Sequence, residues 1–143
     1  MKRRKGQAIV EMAIVFPFFL LIIIGGIIDF GFAFNNQLTL QQIANNTAKF
    51  AAETSADQAQ ITNFANSLKP KWWDGKFSVF YHSPRNLKTG GVIHKVSISY
   101  DSPAYTPFYK TMFKVTSGLD YIKLGVNVAY KSPEYLQCNE AIK

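Results

Sequence analysis

The chain has 143 residues, of which 48% are hydrophobic and 15% aromatic, and a formal net charge of +7. That is room for one modest domain and excludes a disordered polymer, which is poor in aromatics and rich in charge. A lone cysteine, Cys138, excludes an intrachain disulfide and any zinc site built from several thiolates, and two histidines, His82 and His94, leave little for a metal centre.

The N-terminus begins with Lys2, Arg3, Arg4, Lys5 and Gly6, and no charged or amide side chain occurs from Met12 to Ile28. Such a run is a transmembrane candidate. Extended to Ala8 and Phe34, and interrupted only by Glu11 and Asp29, it makes a helix of roughly 40 Å, enough to cross a bilayer. No basic residue follows until Lys49, so the positive-inside bias puts the N-terminus in the cytoplasm and residues 35–143 outside. A secretory signal would end in a small-residue cleavage site, which Asp29-Phe30-Gly31-Phe32-Ala33-Phe34 does not supply; the apolar segment is therefore expected to stay. The other place to cut is after Gly6, since a glycine lets an extended backbone enter a protease cleft without side-chain obstruction. That cut makes residues 1–6 a basic leader, Gln7 the new N-terminus, Glu11 its fifth residue and residues 7–34 the membrane helix.

Glu11 and Asp29 lie about 27 Å apart along a helix, close to the hydrocarbon thickness of about 30 Å, so both fit at membrane interfaces. Asp29 is expected to mark the outer one. Pro17 removes one helical hydrogen bond and softens the span. Gly25, Gly26 and Gly31 permit close helix approach, without the four-residue spacing of a dimerisation motif.

Beyond Phe34 the helical period continues through Leu40, Ile43, Thr47 and Phe50, beside Ala44, Ala48 and Ala51, so the span runs into an amphipathic stem. Ser55 with Gln58 offers a capping box for a second helix, whose apolar face is Ile61, Phe64, Ala65 and Leu68. Pro70 and Asp74-Gly75 end it. Strands are expected at Phe77–Tyr81, Gly91–Ser102 and Tyr121–Ser132, the last two alternating apolar with polar residues, which means a sheet with one face buried and one wet. Between them, Pro103, Pro107 and the stretch Phe108 to Val115 predict a loop with a short helix. The fold class is α+β: a long N-terminal transmembrane helix continuing into an amphipathic stem, packed on a small antiparallel sheet.

Gly6-Gln7-Ala8-Ile9-Val10-Glu11 resembles the prepilin-peptidase site of the tight adherence (Tad, Flp-type) pilus system, in which a glycine precedes the cut and a glutamate is the fifth mature residue. Phe16-Pro17, Gly25-Gly26-Ile27-Ile28-Asp29-Phe30-Gly31 and Ala33-Phe34 look like the TadE-like minor pseudopilins in particular. The resemblance is dense from Arg3 to about Ala52. It departs at Met12, where related prepilins often carry an aromatic, and at Phe32, where the pattern often has arginine. It implies a membrane-anchored subunit trimmed by a prepilin peptidase. Its partners would be other pilins, the Tad inner-membrane machinery and membrane lipid, and Glu11 would pair with a neighbouring subunit's new α-amino group. An uncleaved single-span anchor with an external ligand-binding domain, and a type II secretion pseudopilin, are the alternatives.

No set of carboxylates, histidines or cysteine has catalytic spacing, no nucleophile-elbow or phosphate-loop pattern occurs, and Gly90-Gly91 reads as a turn. The sequence predicts neither an enzyme nor a cofactor. Removing residues 1–6 leaves twelve basic residues against nine acidic, scattered and without the stripe that tracks phosphates, so nucleic acid is not an expected partner. Trp72 and Trp73, flanked by Lys69 and Lys71, predict a turn that packs one indole on the core.

Overall fold

The computed structural model describes residues 3–54, 56–86 and 91–132. Cys138, Ser55 and Gly90 lie outside them. Chain order is α1 (Arg3–Thr54), α2 (Gln58–Leu68), β1 (Phe77–Asn86), β2 (Val92–Pro103), α3 (Pro107–Ser117) and β3 (Tyr121–Lys131). The three strands form one antiparallel sheet in the order β1-β2-β3, and the connection from β2 to β3 carries α3.

Helix α1 has 52 residues and passes through Pro17 without a break, giving a rod of about 78 Å. Its two halves meet different surroundings. From Ile9 to Ile24 its large apolar side chains are exposed, with Ile9 at 70% and Phe18 at 66%. From Leu40 onward the stem residues Leu40, Ile43, Ala44, Thr47, Ala48 and Ala51 are buried, as the period predicted. Thr47 satisfies its hydroxyl by donating to the Ile43 carbonyl at 2.7 Å, the usual solution for a buried helical threonine. The run of alanines lets the sheet come close to the helix backbone.

The strand alternation is realised. Val96, Ile98 and Tyr100 of β2 face α1, opposite Val128, Val126 and Leu124 of β3 and Tyr81, Val79 and Phe77 of β1. Trp73 joins this core, stacked on Tyr100 with centroids 4.1 Å apart, while Trp72 is exposed, so one indole packs inward as expected. Helix α2 closes the far end, where Phe64 stacks on Phe50 at 4.3 Å.

Three boundaries differ from the sequence reading. Strand β1 runs five residues further, to Asn86, with a register irregularity between His82 and Arg85; Pro84 is tolerated there because β1 is an edge strand. Helix α3 extends to Ser117 and ends on Gly118 at φ 69°, a left-handed cap that glycine adopts without penalty. The cap of α2 is Asp57, not Ser55: Gln60 accepts from the Asp57 N–H at 3.2 Å. Gln58 instead serves β1, accepting from the Tyr81 N–H at 3.0 Å and donating to the Val79 carbonyl at 3.5 Å, which covers part of an open strand edge.

Two predictions follow from this packing. A Cβ on Gly75 would sit 1.8 Å from the Asp101 carbonyl oxygen, where β2 is fixed by the Asp101 N–H donating to the Lys76 carbonyl at 3.0 Å. Gly75→Ala should therefore lower stability by at least about 1–3 kcal/mol, the usual cost of overpacking, measured by thermal unfolding in detergent. Burial pushes the His94 imidazole below its ordinary value. Its ring pairs with the Tyr81 hydroxyl at 2.7 Å. The folded state binds that proton more weakly than the unfolded state, so the contribution is complete above the unfolded value of about 6.5 and is lost as pH falls below it. Unfolding temperature should thus drop between pH 7 and pH 5, and His94→Gln should flatten the drop.

Candidate functional site

The residues singled out in the sequence all lie on α1, and the fold treats the two ends of the apolar run differently. At the start, Gly6, Gln7 and Glu11 are helical and exposed. Among the described residues, nothing beyond the adjoining helix lies within 4 Å of a Cβ built on Gly6. Gln7 Nε2 donates to Glu11 Oε1 at 3.1 Å, the four-residue spacing that puts two side chains on one helix face. Among the described residues no other hydrogen bond to Glu11 is formed, and its side chain is exposed.

At the other end the helix is gripped by the chain's own crossover. Asp29 is only 2% exposed. Its Oδ1 accepts from the Tyr105 N–H at 2.8 Å and the Thr106 N–H at 3.0 Å, and its Oδ2 accepts from the Thr106 hydroxyl. Thr106 is the N-cap of α3 and Pro107 its first residue. The carboxylate thus answers donors that a helix start leaves unpaired, at the end where the dipole favours negative charge. The carboxylate of Asp29, the residue expected to mark the outer membrane interface, faces the start of α3 and locks α3 to α1.

One helical turn below, the same face is made of Gly25 and Gly26, both buried. The Tyr109 ring covers them: its carbons lie 3.5 Å from a Cβ built on Gly25, and its oxygen 2.6 Å from one on Gly26. The Tyr109 hydroxyl donates to the Ile22 carbonyl at 3.2 Å. The close approach that these glycines permit is therefore made within the chain, by α3. Gly31 is exposed, with nothing near it. Aromatic contacts extend the seam, Phe30 edge-on to Tyr109 at 6.0 Å and Phe32 against Tyr105 at 4.7 Å.

Above the seam, Asn36 ties α1 to the sheet. It donates to Ser102 Oγ at 3.0 Å and accepts from Trp73 Nε1 at 2.9 Å. Asn36 and Ser102 are both buried, so each polar group needs the other.

Tyr105, Thr106 and Tyr109 escaped the sequence reading. Thr106-Pro107 is a legible helix start, but nothing in the sequence pairs it with Asp29, 77 residues earlier.

Removing the Asp29 carboxylate should leave the Tyr105 and Thr106 donors unpaired at about 1–3 kcal/mol each. Asp29→Ala is expected to speed amide exchange across residues 104–117 tenfold or more, with the sheet unchanged, as read by hydrogen exchange and mass spectrometry. Gly26→Ala should also loosen α3 by displacing the Tyr109 oxygen. Adding Tyr109→Phe should restore part of the protection, because the next atom, a ring carbon at 3.2 Å, needs only a small shift.

Comparison with known proteins finds a similarity to one family along this helix. Residues 6–49 match the family model described as TadE-like protein. No curated protein sequence matches the chain. No solved structure matches it. Over residues 6–49, from Gly6 through the apolar run and the Asp29 seam into the stem, the chain is similar to TadE-like proteins.

Proposed function

We propose that this protein is a membrane-anchored minor pseudopilin that takes part in the assembly or initiation of a Tad/Flp-type adhesion pilus, with a structural and not an enzymatic role. The observation that carries the reading is the two-natured helix α1. Its first half is long and apolar enough to cross a membrane and is uncovered up to the point where α3 meets Gly25 and Gly26, while its second half is the spine of a small α+β domain, and the TadE-like match runs through both, over residues 6–49. A subunit of this shape is held in the bilayer before assembly and can offer the same uncovered face to neighbouring helices during it.

The prepilin peptidase acts between Gly6 and Gln7 in this reading. The bond lies in the first turns of α1, where glycine weakens the helix by about 1 kcal/mol relative to alanine, and terminal turns fray readily. Cleavage removes the basic leader and turns the Gln7 amide into an amine. Glu11 then has a cationic partner of opposite charge available on a neighbouring subunit. Because an unpaired carboxylate near a bilayer costs a few kcal/mol, such pairing couples processing to assembly. The basic leader sets a cytoplasmic N-terminus in the inner membrane and puts the sheet domain outside. Other pilins, the Tad inner-membrane machinery and lipid are the partners.

Processing and assembly are tested together. Intact mass of protein from cells with an active prepilin peptidase should correspond to a chain beginning at Gln7, and Gly6→Glu should retain the leader. Glu11→Ala is expected to leave membrane insertion intact while reducing both recovery of co-expressed pilins from detergent extracts and piliation. A retained leader in the wild type would favour an uncleaved anchor, and normal pili in Glu11→Ala would remove Glu11 from the assembly contact.

A further inference from the structure

Helix α3 presents an apolar surface that its contact with α1 does not use. Tyr109 turns toward α1 and Phe113 lies beside Tyr109, whereas Phe108, Met112 and Val115 are exposed at 48%, 38% and 81%. These three recur at intervals of four and three residues and so share one side of the helix. Lys110 and Lys114, both exposed, fall on the opposite side. A surface helix that is apolar on one face and basic on the other is built for a boundary between water and hydrocarbon.

Its position along α1 says which boundary. The Asp29 and Tyr109 contacts hold α3 against residues 22–30, and Ile22 to Ile28 belong to the run without charged or amide side chains. Ile22 lies seven residues below Asp29, about 10 Å along the helix. If α1 spans a bilayer, α3 cannot remain in water: the seam carries it into the membrane surface. Phe108 of the uncovered side and Phe30 of α1 are both exposed, and each packs edge-on against Tyr109.

We propose that α3 is an interfacial membrane helix, latched to α1 by Asp29 and Tyr109, with Phe108, Met112 and Val115 in the acyl boundary of the leaflet on the sheet's side and Lys110 and Lys114 toward its headgroups. The occupant of this face is lipid. The lysines meet phosphate, the apolar residues meet chains, and the latch fixes the depth at which the sheet domain stands above the bilayer. The buried Asp29 contributes by keeping its charge satisfied where water is scarce. The inference rests on the reading of α1 as a membrane span, and the test separates the two.

The full chain, with Cys138→Ser, is reconstituted in phosphatidylethanolamine and phosphatidylglycerol vesicles, with single nitroxide labels introduced through Ile24→Cys, Met112→Cys, Lys114→Cys and Val115→Cys. Positions 112 and 115 are exposed, so a label there replaces no packed core atom. Collision with oxygen, which partitions into lipid, is compared with collision with a water-soluble nickel complex. The expected result is a ratio of oxygen to nickel accessibility several-fold higher at 112 and 115 than at 114, approaching that at 24. Water-like ratios at 112 and 115 beside a lipid-like ratio at 24 would overturn the interfacial helix and leave the span intact. Exclusion of both probes at 112 and 115 would also overturn it, as the mark of a protein-covered face. A water-like ratio at 24 would overturn both readings.

Discussion

A single unbroken helix has to satisfy two surroundings, and the rest of the molecule is arranged around the point where they change. Below Asp29, α1 shows its apolar side chains to the exterior; above Asn36 it buries them under a sheet. Between the two, buried polar groups on the helix, Asp29 and Asn36, are each answered by later parts of the chain. They fix the rotation and height of the sheet on the rod, because a misplaced register would strand a carboxylate and an amide without partners in a dry seam.

The apolar contacts are less selective. Alanines at 44, 48, 51 and 52 are smooth enough to accept a sheet at more than one height, and the inward residues of β2 and β3 are mostly interchangeable aliphatics. Packing of this kind supplies much of the stability while leaving position loosely specified. The stacked pair of Trp73 and Tyr100 adds direction, since Trp73 is committed through its N–H to Asn36. Hydrophobic burial holds the domain together, and a few polar links decide where it sits.

The same seam gives the glycines of the apolar run a role inside the chain. Gly25 and Gly26 lie under Tyr109, so their face of α1 is occupied at that height, while the side chains of Ile9, Phe18 and Ile27 remain uncovered. A helix with one side closed by its own crossover at residues 22–30 has fewer open sides at that height; Glu11, about five turns before Asp29, lies on the same side below the crossover and is exposed.

The sequence by itself determined the element types: the apolar run of α1, the stem period at Leu40, Ile43 and Thr47, and the alternation in β2 and β3 are local patterns, and each is set by residues within a few positions of one another. It also carried the TadE-like start, because that motif is contiguous. The tertiary structure decided what lies between elements. That Asp29 would face Thr106, that two glycines would receive Tyr109, and that Gln58 would leave its own helix cap for the edge of β1 all depend on contacts between residues far apart in the chain. No local pattern encodes such a pairing, since a carboxylate at a membrane boundary and a threonine at a helix start look alike whether or not they meet. Closing the long loop between them is what brings them together, and that is a property of the folded chain as a whole.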